Sequence, residues 1–324
     1  MTRLALIGYG RIAPKHLDAF RAQGAEFVAC CNRSEAGRES ARTDGRIDHV
    51  YASIGEMLER EQPDGIICCA SIHQVYGAAR EIIPSGIPVL LEKPPGTSID
   101  EYEQLCSLAE RHKTPVMVGL NRRHYSVVRR AVDDAGGLES ITSAAVEWSE
   151  DPQHFLKRGF SAQQVSRMVF GNTLHGIDLL TFFAGGCERP QITAVSRGEP
   201  LRWTMALQGM SERNVLATFN STWDAPGRWR VAFCTAGRRY TFAPLETCEV
   251  MTSGTRDVRS IEPDEHDKQF KPGFFRQAQV FLEMVASRQA PSEHDLIAAG
   301  PAMRLAQQLT DACLQSAAES GATA

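Results

Sequence analysis

Leu4-Ala5-Leu6-Ile7-Gly8-Tyr9-Gly10-Arg11-Ile12-Ala13, close to the start of a chain of 324 residues, reads as a buried strand that turns into a helix through glycines. Gly8 permits a tight turn, Gly10 lets a pyrophosphate approach the backbone with no Cβ in the way, and Ala13 lets the helix pack close to the strand. The helix start offers free N–H groups and the positive end of a dipole to an anion. The spacing alone also fits an ordinary strand–helix turn, so the surrounding chain has to decide.

Up to residue 120 short apolar runs alternate with helical stretches: Leu4 to Gly8, Phe27 to Cys31, Gly65 to Cys69, Pro88 to Leu91 and Val116 to Val118. Runs so continuously apolar belong to strands buried on both faces, and the segments between carry helical periodicity, as in Ile99 to His112 after a Ser98 cap. This is a βαβ series and predicts an α/β fold with a doubly wound parallel sheet over residues 1–120.

Beyond it, a basic helical stretch from Arg122 to Asp134 leads into alternating runs at Ile141 to Trp148, Gln191 to Arg197, Arg202 to Gln208, Val215 to Trp223, Arg228 to Cys234 and Arg239 to Ala243. Alternation predicts an α+β domain over 121–324 with a large open, mainly antiparallel sheet. Two helices are expected near 161–185, and two more at 273–288 and 294–318.

A net charge of −4 describes a mildly acidic protein, which argues against nucleic acid or an anionic membrane as the main partner and for a small molecule. The basic cluster Arg122-Arg123-His124 with Arg129-Arg130 has no aromatic array beyond Tyr125, so it does not read as a nucleic-acid patch. Nine cysteines without a C-x-x-C spacing read as small buried hydrophobes in a reducing cytoplasm. No segment approaches the roughly 18 apolar residues of a membrane span, and no cleavage site follows the first apolar run. Asp264-Glu265-His266-Asp267 lacks a second histidine at ligand spacing and reads as a solvated turn, so no metal is expected.

Five further tags accompany the Gly8 turn: Cys69-Ala70-Ser71-Ile72-His73-Gln74-Val75-Tyr76, Glu92-Lys93-Pro94, Gly119-Leu120-Asn121-Arg122-Arg123, His175-Gly176-Ile177-Asp178 and Lys271-Pro272-Gly273-Phe274. In order and spacing the chain resembles the glucose–fructose oxidoreductase/inositol dehydrogenase/MocA family over nearly its whole length. The resemblance implies a Rossmann domain, a substrate and oligomerisation domain, and a nicotinamide-dependent oxidoreductase. It also implies cofactor contacts from Gly8, Tyr9, Gly10, Arg11, Ile12, Ser71, His73, Tyr76, Glu92, Lys93 and Asn121, with Arg122 lining the same cleft. Where the family has Pro and His, this chain has Ile72 and Tyr76.

Rossmann domains that use NAD place a carboxylate roughly 20 residues past the glycines to hold the ribose 2′-hydroxyl. Here that region reads Cys31-Asn32-Arg33-Ser34. With no carboxylate to repel a 2′-phosphate, and with a guanidinium at Arg33 and a hydroxyl at Ser34 to bind one, NADP is the preferred cofactor and NAD the other option.

Lys93, between Glu92 and Pro94 at a strand end, could steady an alkoxide as hydride leaves the carbon. His175 and Asp178 stand at i and i+3 on one helical face. The resemblance makes His175 the proton acceptor, a task suited to a group that titrates near neutrality. Many relatives carry a catalytic aspartate four residues before that histidine, where this chain has Gly171. Asn172 stands one position later; its amide can orient a hydroxyl but cannot take a proton. The expected activity is interconversion of a secondary alcohol and a ketone on a sugar, cyclitol or nucleotide-sugar, with Lys93, Arg122, Asn172 and His175 meeting the substrate. Two alternatives stay open: a lyase or glycosidase that retains its nicotinamide, and a catalytically silent NADP-binding regulatory protein. An uncovered sheet face predicts a homodimer or homotetramer.

Overall fold

The computed structural model describes residues 1–187, 189–196, 201–223 and 225–320. The chain begins β1 (Arg3–Ile7), α1 (Ala13–Arg21), β2 (Glu26–Cys31), α2 (Glu35–Thr43), β3 (Val50–Tyr51), α3 (Ile54–Glu61), β4 (Gly65–Cys68), α4 (Val75–Ile82), β5 (Val89–Leu91), α5 (Ile99–His112) and β6 (Val116–Val118). After a 3₁₀ turn at Asn121–His124 come α6 (Ser126–Ala135), β7 (Ile141–Ser149), α7 (Pro152–Lys157), α8 (Ala162–Ser166) and α9 (Thr173–Ala184). Seven strands follow: β8 (Gln191–Ser196), β9 (Trp203–Met210), β10 (Leu216–Thr222), β11 (Arg230–Thr235), β12 (Arg238–Phe242), β13 (Cys248–Thr252) and β14 (Val258–Ile261). Helices α10 (Glu265–Gln269), α11 (Phe274–Ser287) and α12 (Gly300–Glu319) end the described chain.

The chain divides into two compact units, one of Met1–His124 with Glu265–Gly300, the other of Tyr125–Asp264 with the residues from Pro301 on. A single division at residue 120 did not foresee the return of 265–300 to the first unit. The cause is α11, whose buried residues Phe274, Gln277, Ala278, Phe281 and Met284 follow helical spacing and give it an apolar face that must be covered.

In the first unit the described strands form a parallel sheet in the order β3-β2-β1-β4-β5-β6. Leu4, Leu6, Ile67, Leu90 and Met117 join Leu17 and Phe20 of α1 and Phe281 of α11 in one core. Phe20 meets Phe281 edge-on at 5.7 Å. Ser98 caps α5 as expected, its hydroxyl accepting from the Glu101 amide. Strand β3 was not anticipated: two half-buried residues at a sheet edge leave no periodicity to read. The cysteines of β2 and of the β4 end are buried, and burial pushes the Cys30 and Cys68 thiols up to about 12 and Cys31 to about 11, so they behave as hydrophobes.

In the second unit the sheet runs β14-β13-β12-β11-β7-β10-β9-β8. All its pairs are antiparallel except β7 with β10. Ala144, Val146 and Trp148 of β7 are buried while Glu147 is exposed, the alternation of a sheet covered on one side, and α9 lies against β7, β10 and β11. Strands β13 and β14 and helix α7 were not anticipated. The outer pair exposes Met251, Val258 and Arg259 and carries no clear apolar/polar alternation. Arg197, expected to end a strand, and the tail from residue 321 lie outside the described residues. No helix among the described residues is long and apolar enough to cross a membrane.

Candidate functional site

Gly8 is held in the left-handed region at φ +83°, its amide donating to the Cys31 carbonyl at 2.8 Å. A Cβ there would lie 3.0 Å from the Cys69 carbonyl oxygen and 3.1 Å from the Ala70 nitrogen, so both backbone angle and packing demand glycine. Gly10 differs. A Cβ on it would meet nothing among the described residues within 4 Å, so the fold does not require glycine here, whereas a pyrophosphate lying against the backbone would.

Helices α2, α3, α5, α7 and α8 begin under a Ser or Asp cap. Helix α1, like α4, α6, α9 and α11, has no such side-chain cap among the described residues and no acidic residue in its first turn, and it alone of these has a proline in its first turn, Pro14, behind the glycine turn. The Ala13 amide donates to the Gly10 carbonyl at 3.1 Å, the Lys15 amide to the Ile12 carbonyl at 3.1 Å, and Pro14 has no N–H, so what α1 itself offers an anion is its dipole end. Arg11 is exposed beside it, and Ile12 is half-buried at the helix start. These features fit a dinucleotide's phosphates. The Tyr9 ring instead turns toward the end of α2, where a Cβ on Gly45 would come 2.7 Å from its Cε2, and burial raises the pKa of its hydroxyl. What Tyr9 can offer a phosphate is its backbone.

At the end of β2, the Asn32 side chain accepts from the Ser34 amide at 3.2 Å and its hydroxyl at 3.3 Å, and Ser34 Oγ accepts from the Gly37 amide at 3.1 Å as the cap of α2. Arg33 is exposed. Ser71 and His73 are exposed on the loop after β4, at the carboxyl end of the sheet where such folds bind ligands. The Tyr76 hydroxyl is engaged by Gln104 Oε1 at 2.5 Å, so Tyr76 ties α4 to α5.

Three of the sequence tags converge within the first unit. Glu92 is buried, and its Oε1 lies 2.7 Å from His16 Nε2 on α1. Lys93 follows it, half-buried, and Pro94 after it is buried. Asn121 is buried and its Nδ2 donates to the Pro272 carbonyl at 3.0 Å. Gly273, at φ +78°, starts α11 and donates to Asp267 at 2.7 Å, and the Phe274 ring sits 4.6 Å from that of His16. The Asp264–Asp267 stretch, read as a turn, thus runs into short helix α10, which anchors the start of α11. Arg122 is half-buried, while buried Arg123 donates to the carbonyls of Glu293 at 2.7 Å and Ala298 at 3.3 Å. His16 and Phe274 went unnamed as site residues; the legible signal for His16 was a titratable side chain on the otherwise apolar face of α1.

In the second unit His175 and Asp178 are both buried on α9, 4% and 0% exposed. The His175 amide donates to the Asn172 carbonyl at 3.0 Å. Asn172 is half-buried at the helix start and borders a small space with Glu150, Phe155, Met168 and Trp223. Gly176 lets Trp148 lie against the helix, since a Cβ would come 2.6 Å from its ring. At Gly171 a Cβ would stand 2.9 Å from the Met168 carbonyl oxygen and 3.1 Å from its Sδ, so the backbone has closed over the position where relatives carry aspartate. Lys93 belongs to the first unit and His175 to the second.

Residues 2–120 match the family described as "Oxidoreductase family, NAD-binding Rossmann fold", GFO_IDH_MocA. The rhizopine catabolism protein MocA of Rhizobium meliloti is 28% identical over 154 residues, covering 46% of this chain and 48% of that protein. The myo-inositol dehydrogenase Hyg17 of Streptomyces leeuwenhoekii is 29% identical over 189 residues, covering 56% and 55%. The chain spans about half the length of the curated relatives it matches. A dehydrogenase of Chromobacterium violaceum shares the fold, with a TM-score of 0.84 over 99% of this chain and 98% of that one at 17% identity. Residues 2–120, which carry the glycine turn and the Glu-Lys-Pro strand end, thus belong to the Gfo/Idh/MocA oxidoreductase family with its NAD-binding Rossmann fold.

Proposed function

We propose that this protein is a dehydrogenase that prefers NADP over NAD and interconverts a secondary alcohol and a ketone on a sugar, cyclitol or nucleotide-sugar. One observation carries the proposal: an uncapped α1 behind a Gly8 turn that only glycine fits, beside a β2 that ends in Asn32-Arg33-Ser34 without a carboxylate. The names of the curated relatives, a rhizopine catabolism protein and a myo-inositol dehydrogenase, support a polyol-like substrate.

The Gly8–Gly10 turn and the dipole end of α1 hold the pyrophosphate, and Arg33 takes the 2′-phosphate in a planar fork of donors. Bound there, the nicotinamide supplies the hydride acceptor. The Lys93 ammonium steadies the substrate oxygen as its C–H bond breaks, and the His175 imidazole takes the hydroxyl proton. Arg122 and Asn172 orient neighbouring hydroxyls. The uncovered face of the second unit's sheet, lined by Ala145, Glu147, Thr193, Gln208 and Asn220, pairs with a second copy in a homodimer or homotetramer. Buried free thiols fit a cytoplasmic protein.

The test is fluorescence titration with NADPH and NADH, followed by a screen of polyols and nucleotide-sugars for reduced-nicotinamide absorbance. Tighter NADPH binding and turnover of one such substrate are expected. Binding of neither nucleotide overturns the proposal. The closed position at Gly171 favours one second reading, a silent NADP-binding regulatory protein. Tight NADPH binding with no turnover of any screened substrate and a specific protein partner would establish it. Turnover of a glycoside without net absorbance change would mark a lyase or glycosidase that keeps its nicotinamide.

A further inference from the structure

We infer that His16 is a positioning residue: paired with Glu92, it ties the phosphate-binding helix to the strand end that carries Lys93, so that a nucleotide seated on α1 also sets the lysine. The inference rests on the proposed function only for its kinetic consequence.

His16 and Glu92 are 76 positions apart and meet at 2.7 Å with exposures of 1% and 9%. Neither side chain has room to choose another geometry. The His16 ring lies 4.6 Å from the Phe274 ring and 6.3 Å from that of Phe20 on its own helix. On the other side, a Cβ on Gly119 would come 3.2 Å from the Cα, Cδ and Oε1 of Glu92, so the glycine after β6 is the wall against which the carboxylate rests. The backbone is fixed as well, since the Glu92 amide donates to the Cys68 carbonyl at 2.9 Å and Gly119 donates to the Leu91 carbonyl at 2.8 Å.

Lys93 is the next residue along, so it leaves the sheet from a point clamped on both sides. A histidine–carboxylate pair this buried stabilises little beyond what a well-packed apolar pair would, yet losing one partner leaves a polar group stranded. Its distinctive contribution is directional. It joins α1, the helix that follows the glycine turn, to the residue before the lysine. Removing the tie leaves the phosphate turn itself intact and frees the Lys93 end, so turnover falls more than nucleotide affinity.

The test compares His16→Leu, His16→Gln, Glu92→Gln and the His16→Leu/Glu92→Gln pair with the parent protein. Nucleotide affinity, kcat and the ¹³C signal of the Lys93 ε-methylene are measured for each with NADPH bound. His16→Leu is expected to lower kcat by about tenfold or more while changing nucleotide affinity by less than about threefold. His16→Gln, which keeps a donor near the position of Nε2, retains most of kcat. The double variant is no worse than the more impaired single variant, as for two groups acting through one contact. The Lys93 signal shifts in His16→Leu and much less in His16→Gln. If His16→Leu fails to fold, the comparison of His16→Gln with Glu92→Gln carries the test, with a displaced Lys93 signal expected only in the latter. An unmoved Lys93 signal in every folded variant, or a loss confined to nucleotide affinity, overturns the inference. A parent protein without turnover would instead sink the proposed activity and leave the Lys93 signal to decide the tie.

Discussion

The Arg38 guanidinium donates to the Asn32 carbonyl at 2.8 Å, and to that of Arg33 at the same distance, while its other nitrogen pairs with Glu35 at 2.8 Å. Arg38 therefore props the turn after β2 from within, while Arg33 is exposed, as the proposed contact with a 2′-phosphate requires. Arg33→Ala is expected to weaken NADPH binding by roughly tenfold or more while NADH binding changes little. Arg38→Ala should weaken both alike. Equal loss of both nucleotides in Arg33→Ala, read by fluorescence titration, would show that Arg33 does not recognise the 2′-phosphate.

Lys93→Met removes the ammonium while nearly preserving side-chain length. Turnover is expected to fall by about a hundredfold or more with the nucleotide still bound. His175→Asn should lower kcat for alcohol oxidation as well, because an amide cannot take the hydroxyl proton, and steady-state rates measure the loss. Unchanged turnover in Lys93→Met removes that residue from the mechanism.

Restoring the family aspartate does not restore a second acid/base group. At Gly171 any Cβ meets the Met168 carbonyl at 2.9 Å, a backbone atom that cannot swing aside. Gly171→Asp is expected to lower stability by about 1–3 kcal/mol without raising kcat, and Gly171→Ala to share most of the stability loss. Thermal unfolding of both variants beside steady-state rates checks this. A faster, equally stable Gly171→Asp protein would contradict it.

Asp134 of α6 accepts from the Tyr240 hydroxyl at 2.7 Å and from Arg259 at 2.7 Å, with Arg238 at 3.4 Å. Burial alone would push its carboxyl up, but the Tyr240 hydroxyl and Arg259 outweigh it and hold the pKa below the ordinary aspartate value. A carboxyl depressed on folding contributes stability above its unfolded pKa and loses that contribution as pH falls through the folded one. Asp134→Asn is expected to be less stable near neutrality by on the order of 1 kcal/mol, because the site is partly exposed. The gap should close below about pH 4. Denaturant unfolding at several pH values measures it, and a gap independent of pH refutes the assignment.

Local rules carried far in this chain. Helix α5 runs Ile99–His112 behind Ser98 because a cap and its periodicity are written in adjacent residues. β6 at Val116–Val118 was legible because a strand buried on both faces must be apolar throughout. Strands β3, β13 and β14 were not legible, since they are short and lie toward sheet edges; in β13 burial alternates, but exposed Met251 masks it in the sequence. The tags at Glu92, Asn121 and Phe274 could be found singly, but not the network that joins them.

The sequence by itself determined the element types of the parallel sheet, the glycine turn and the carboxylate-free end of β2, because each is a matter of neighbouring residues. Only the tertiary structure decided that segment 265–300 returns to the first unit, that His16 holds Glu92, that the Tyr9 ring turns aside and that Gly171 is walled off. Those outcomes depend on contacts between residues far apart in the chain, where hydrophobic covering and steric exclusion act and no local periodicity records them.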